Sequence, residues 1–167
     1  MPDNSGSSES EAGFVCRGAA GTAALARRVA AVLKPGDVVL LDGPLGAGKT
    51  TFASELVAAL GIADAVTSPT YTLVHHYGGR SGISVDHVDL YRVETLAEVE
   101  DLGLDFPGSD AILVVEWGGV ARAAFGEDRL EIEIGYGPHT QPTTREVRVR
   151  ASGASWVDRF AALEQSP

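Results

Sequence analysis

Val38-Val39-Leu40-Leu41-Asp42-Gly43-Pro44-Leu45-Gly46-Ala47-Gly48-Lys49-Thr50-Thr51 decides the reading of this chain. Four apolar residues in a row predict a strand over 38–41 buried on both faces. They run into a glycine-rich loop, and the loop opens onto Phe52, Leu56, Val57 and Leu60 at helical spacing, with Gly61 as a C-cap. Strand, loop and helix in that order are the context in which G-x-x-x-x-G-K-[ST] reads as a P-loop, and chance would produce the pattern on the order of 0.004 times in a chain of this length and composition.

The residue types follow from the chemistry of phosphate. Triphosphate oxygens must lie against main-chain N–H groups, and only glycine lets the backbone come that close with the required dihedrals. The helix starting near Lys49 points unpaired N–H groups and the positive end of its dipole at the loop. The Lys49 ammonium can reach β- and γ-phosphates, and the Thr50 hydroxyl is placed to ligate Mg²⁺. Of 13 basic residues only Lys34 and Lys49 are lysines, so a lysine here points to a compact charge on phosphate. The bland alternative is a glycine-rich turn with no ligand.

Outward from this stretch, 167 residues with 44% hydrophobic content suit one globular domain, here placed at 14–163. No apolar run approaches the roughly 18 residues of a membrane span. Residues 1–13 are rich in Ser, Gly and Glu and lack the basic start and apolar middle of a signal peptide, so a disordered tail and a cytoplasmic location are expected. The net charge of −10 argues against direct nucleic-acid binding, because phosphate contacts need clustered Lys and Arg. Cys16, the single cysteine, sits in an apolar segment and reads as a small packing residue.

Phe14 to Arg17 predicts a short edge strand, and Thr22 an N-cap for a helix with Leu25, Val29, Val32 and Leu33 on one face. Ala65 to Tyr77 and Ile83 to Val93 predict an antiparallel hairpin, followed by a helix whose capping box is Thr95 with Glu98. Ala111 to Val115 predicts a second buried strand ending on Glu116-Trp117, and a short helix is expected over 121–125. Two alternating strands are expected at 130–134 and 146–149, then a last helix with Trp156, Phe160 and Leu163 as its apolar stripe. The fold class is therefore α/β: a three-layer P-loop NTPase-like fold with a mixed central sheet, parallel core strands plus antiparallel hairpin strands, flanked by helices.

Two acids compete for metal and water-activating roles. Glu116 closes a buried strand at its carboxyl end, where open α/β sheets bind ligands. Asp89 sits in an alternating strand, where an exposed aspartate would be unremarkable. Trp117 reads equally as core packing and as a nucleotide or partner contact. The histidines His75, His76, His87 and His139 lack the spacing of a metal cluster and read as polar surface residues. No G-x-S-x-G element supports a hydrolase triad.

Four blocks then coincide in order: Gly-Pro-Leu-Gly-Ala-Gly-Lys-Thr-Thr at 43–51, Ser-Pro-Thr-Tyr-Thr-Leu-Val at 68–74, His-Val-Asp-Leu-Tyr-Arg at 87–92 and Val-Glu-Trp at 115–117. Together they resemble the TsaE (YjeE) family over about Phe14 to Leu163. The resemblance implies a bacterial ATPase, weak alone, that uses ATP and Mg²⁺. It implies a role in placing threonylcarbamoyladenosine beside the anticodon of tRNAs that read codons beginning with A. The implied partners are the TsaD and TsaB proteins, with tRNA met only indirectly and no DNA or membrane involved.

Carried over by motif, Gly43, Leu45, Gly46, Ala47, Gly48, Lys49, Thr50 and Thr51 would surround the nucleotide. Thr50 and Glu116 would hold Mg²⁺, and Lys49, Asp89 and Glu116 would serve hydrolysis. Ser68-Pro69-Thr70 would form a nucleotide-sensing switch and Trp117 would contribute to activity. Thr22 and Arg145 lie where the family's helix start and late strand approach the nucleotide. The chain departs from the family at Gly118-Gly119, where a proline or small residue and an acid are common, and at Ala124-Phe125-Gly126, where a helix-ending proline is usual. A P-loop kinase of a small molecule and a non-catalytic, nucleotide-dependent assembly module are the alternative functions. The single arginine of Ala121-Arg122-Ala123 is a poor start for a kinase lid.

Overall fold

The computed structural model describes residues 9–67, 69, 73–78, 82–103 and 110–165. Seven strands form one sheet in the order β1-β7-β6-β2-β5-β4-β3. These are β1 (Glu9–Arg17), β2 (Val38–Asp42), β3 (Val74–Gly78), β4 (Ser84–Asp89), β5 (Ile112–Glu116), β6 (Arg129–Tyr136) and β7 (Thr144–Ser152). Strands β6, β2, β5 and β4 run parallel, while β3, β7 and β1 are added antiparallel. This is the mixed α/β sheet that the sequence predicts.

Parallel central strands need both faces covered, and the side-chain alternation provides two separate cores. Val39 and Leu41 of β2 and Ile112 and Val114 of β5 face helices α1 (Gly18–Val32), α2 (Lys49–Ala59) and α4 (Val157–Gln165). Val38, Leu40, Leu113 and Val115 face the other way, toward α3 (Leu96–Asp101) and a 3₁₀ segment over Gly118–Phe125. Helix α3 starts at its predicted cap, with Glu98 N–H donating to Thr95 Oγ1, while the Glu98 carboxylate accepts from the Thr95 hydroxyl and from Glu94 N–H. Gly61, at φ +81°, ends the turn after α2. Trp156, Phe160 and Leu163 are buried, and α4 is held in place by Arg159, whose guanidinium donates to both carboxylate oxygens of Asp37 at 2.5 and 3.1 Å.

Three expectations need correcting. Glu9 to Gly13 belong to β1 rather than to a tail, because they pair in register with β7 from Ser152 to Arg148. Glu11 lies between Arg148 and Arg150 of β7, and its hydrogen bond from Arg150 holds its carboxyl below the usual range. Thr22 does not cap α1, which begins a turn earlier at Gly18, where Gly18 N–H donates to Thr143 O at 3.0 Å. The small residues there allow it: a Cβ on Gly21 would stand 2.9 Å from the Cys16 backbone. Strand β4 is not half-exposed, since β3 and β5 flank it and every residue from Val85 to Asp89 is buried.

Candidate functional site

The site lies where β2, β5 and β4 end and α2 begins. Parallel register sets its depth: Asp89 stands beside Glu116, and Glu116 beside Leu41. The loop between β2 and α2 bends through three glycines at positive φ, Gly43 (+141°), Gly46 (+78°) and Gly48 (+108°). A Cβ on Gly43 would fall 2.2 Å from the Ile134 carbonyl oxygen of β6, so this position has room only for glycine. Gly48 ends the loop as the N-cap of α2 without a side-chain cap. The first N–H groups of that helix therefore face the cleft without a side-chain acceptor from the cap.

Lys49 is 5% exposed, not a surface residue. Its ammonium donates to the carbonyls of Gly43 (2.8 Å) and Pro44 (3.1 Å) and lies 3.8 Å from the centre of the Trp117 ring. Burial pushes its pKa below the ordinary lysine value, against the opposing pull of Glu116, Asp89 and Asp42. Trp117 thus packs against the second core and also contacts the P-loop lysine. Its backbone takes a left-handed conformation (φ +61°) that is costly for a tryptophan, and its ring meets Tyr91 at 5.1 Å. Trp117 N–H donates to Leu41 O at 2.9 Å, which ties the turn after β5 to the end of β2.

Thr50 Oγ1 donates to Glu116 Oε2 at 3.0 Å, and the other carboxylate oxygen of Glu116 lies 2.8 Å from His87 Nε2. His87 is fully buried, which corrects its reading as a surface residue. Its signal was in the sequence: spacing i, i+2 in His87-Val88-Asp89 puts both polar side chains on one face of a strand. Asp89 is 3% exposed and accepts from Tyr91 N–H at 2.9 Å. Lys49, Thr50, Thr51, Leu45, Gly46 and Gly48 join Asp89, Tyr91, Glu116 and Trp117 around a cleft of about 360 Å³.

Beside it a second hollow of about 260 Å³ holds Thr22, Gly48, Thr51 and Arg145 together with Ala47. Arg145 reaches the loop directly, with Nε donating to Ala47 O at 2.9 Å. Tyr136, which the sequence reading passed over, does the same to Leu45 O at 2.6 Å and lies 5.1 Å from the Arg145 guanidinium. Ser68 and Thr70 fall outside the described residues; Pro69 is buried and accepts from Leu73 N–H at 2.6 Å. The two unusual glycines have a steric reason, because a Cβ on Gly118 would meet Leu40 at 2.9 Å and one on Gly119 would meet the Asp42 carboxylate at 3.2 Å.

Chemically this is an anion cradle with one buried ammonium and, a few ångströms away, a hydroxyl and a carboxylate that could share a hard cation. The family model described as threonylcarbamoyl adenosine biosynthesis protein TsaE matches residues 16–147. A tRNA threonylcarbamoyladenosine biosynthesis protein TsaE of Streptomyces coelicolor is 43% identical over 80% of this chain and 92% of its own length. That of Bacillus subtilis is 44% identical over 68% of this chain and 70% of its own. The crystal structure of Bacillus subtilis YdiB superposes with a TM-score of 0.76 at 30% identity, covering 95% of this chain and 97% of the other. By family match, sequence and fold alike, the chain belongs to the TsaE family of tRNA threonylcarbamoyladenosine biosynthesis, nucleotide-binding proteins built on a P-loop.

Proposed function

We propose that the protein binds and hydrolyses ATP with Mg²⁺, and that this cycle drives or resets a threonylcarbamoyl-transferring complex of TsaD and TsaB proteins. The observation that carries the reading is the hydrogen bond of Thr50 to Glu116 at 3.0 Å, beside the Lys49 ammonium and the open N-terminus of α2. The donor set fits the ion, since one alcohol and one carboxylate oxygen are hard ligands that leave positions for phosphate and water oxygens. Bound there by Thr50 and Glu116, Mg²⁺ would supply neutralising charge to the β- and γ-phosphates.

The protein's own groups do the remaining work. Lys49 exchanges the Gly43 and Pro44 carbonyls for phosphate oxygens, and the α2 N–H groups hold the charge that shifts toward ADP as the bond to the γ-phosphorus breaks. Asp89, buried beside Glu116, orients the attacking water and accepts its proton. Thr22 and Arg145 line the adjoining hollow, where the nucleoside has room. Ser68-Pro69-Thr70 reports phosphate occupancy to the partners, and Trp117 holds Lys49 in place. The chain meets tRNA only through those partners, as its net charge of −10 suits, and DNA not at all. Among the described residues no helix is long and apolar enough to cross a membrane.

Phosphate release by the purified chain, measured with and without TsaD and TsaB proteins and beside Glu116→Gln, tests this. Release stimulated by the partners and lost in the variant is the expected result. Transfer of phosphate to a small molecule without the partners would replace the reading with a kinase, and tight binding with no release under any condition would leave an assembly module.

The lowered pKa of Lys49 adds a pH dependence. The ammonium must be charged to hold phosphate, so nucleotide affinity is expected to fall as pH rises through that lowered range, earlier than an ordinary lysine would lose its proton. Calorimetric titrations across alkaline pH check this against Lys49→Arg, whose guanidinium stays charged and whose profile should lack the decline.

A further inference from the structure

The geometry points to His87 as a positioning residue that fixes the Glu116 carboxylate by an Nε2–H hydrogen bond, so that the second oxygen stays turned to Thr50 and the metal position. The inference rests on the reading of Glu116 as a Mg²⁺ ligand and deepens it. His87 is 0% exposed and stands on β4 beside Val114, one pleat deeper than Asp89 on the same face. Its Nε2 is 2.8 Å from Glu116 Oε1, while Thr50 takes Oε2 at 3.0 Å. An ionised carboxylate only accepts, so the proton of the shared hydrogen bond belongs to Nε2. The other ring nitrogen, Nδ1, is buried with no hydrogen-bond partner among the described residues.

This orphaned nitrogen is what separates a placed imidazole from core filling. Of its neighbours on the same face, Val85 on its own strand and Val114 on β5 are apolar and fully buried, while His75, opposite it on β3, pairs its Nδ1 with Tyr77 Oη. An apolar residue at 87 would pack there with no unsatisfied atom, so the cost of burying Nδ1 is borne for the bond that Nε2 makes. The Tyr77 ring, tilted by 35° at 6.4 Å, backs the imidazole from the β3 side. Glu116 itself ends its strand, where a free carboxylate could swing into the cleft toward Lys49. A hydrogen-bonded ligand carboxylate keeps its orientation before the metal arrives, and partners of this kind are commonly worth tenfold or more in metal affinity.

The test is calorimetric binding of a non-hydrolysable ATP analogue in Mg²⁺ and in EDTA, the readout being the ratio of the two Kd values. Wild type is compared with His87→Leu, His87→Gln, His87→Asn and Glu116→Gln, each also followed by circular dichroism melting. His87→Leu is expected to lose about tenfold of the Mg²⁺-dependent gain while binding in EDTA as wild type does. His87→Gln, whose amide N–H can stand where Nε2–H stood, should keep most of the gain. His87→Asn, too short to reach, should lose it, and this pair decides the matter if His87→Leu does not fold. A full Mg²⁺ gain in His87→Leu or His87→Asn, with the gain lost in Glu116→Gln, would overturn the role of His87 alone. A full gain in Glu116→Gln would overturn the metal reading and this inference together.

Discussion

Lys49→Ala is expected to weaken nucleotide binding by about a hundredfold, because a charge-assisted bond to phosphate is worth roughly 1.5–3 kcal/mol and each tenfold is about 1.4 kcal/mol. Among the described residues the ammonium is the one cation lining the cleft at the loop, already desolvated and directed by the Gly43 and Pro44 carbonyls and the Trp117 ring. Little entropy is then lost on binding, which favours the upper part of that range. The ligand-free protein should also melt lower, though it should still fold. Removing the ammonium strips two carbonyls of a donor and takes away a positive charge that attracts Glu116 and Asp89. Calorimetry for affinity and a thermal melt for stability check the two effects separately, and an affinity within about threefold of wild type would remove Lys49 from the phosphate site.

What could be read from the sequence was what local chemistry determines. Val38-Val39-Leu40-Leu41 before a glycine-rich loop, Ala111 to Val115 before Glu116, and Thr95 with Glu98 each carry their conformation within a few residues, and each is found where expected. Register and layering are different, since they depend on partners far along the chain. Asp89 is buried where β3 and β5 flank β4, and His87 reaches Glu116 diagonally because β4 pairs with β5 so that His87 stands beside Val114 and Asp89 beside Glu116. The spacing of His87 and Asp89 puts them on one face of a strand, but which strands flank that face is written far from residue 87. The first half of β1 hid for the same reason: Glu9-Ser10-Glu11 reads as polar tail until Arg148 and Arg150 of β7 are placed opposite it. Trp117 was undecidable because its left-handed backbone, which turns the ring onto Lys49, is set by the hydrogen bond to Leu41 and by Gly118 packed on Leu40.

Gly43→Ala is expected to damage the fold severely, and a comparison with Gly48→Ala shows why the two glycines of one loop are not alike. A methyl on Gly43 would come within 2.2 Å of the Ile134 carbonyl oxygen and 3.1 Å of its carbon. Those atoms belong to β6, held between β2 and β7 by ladders on both sides, so they cannot retreat as a flexible side chain would. Either the loop leaves its seat or the β2–β6 pairing opens, and with φ at +141° the alanine is strained in addition. Overpacking of this kind costs about 3 kcal/mol or more, which in a domain of this size lowers Tm by roughly 6–12 °C. Gly48 has nothing within 4 Å of an added Cβ, so its alanine variant suffers only the backbone strain of φ +108°, about 1–2 kcal/mol. Gly48 lines the cleft, however, and a methyl there projects into the space that phosphate would take. The expected pattern is thus crossed: Gly43→Ala loses more stability, and Gly48→Ala stays folded with a Tm lowered by roughly 2–8 °C but loses nucleotide binding. Melting curves and calorimetry on both variants measure it, and a Gly43→Ala protein that melts like wild type would mean that the loop does not sit against β6 as described.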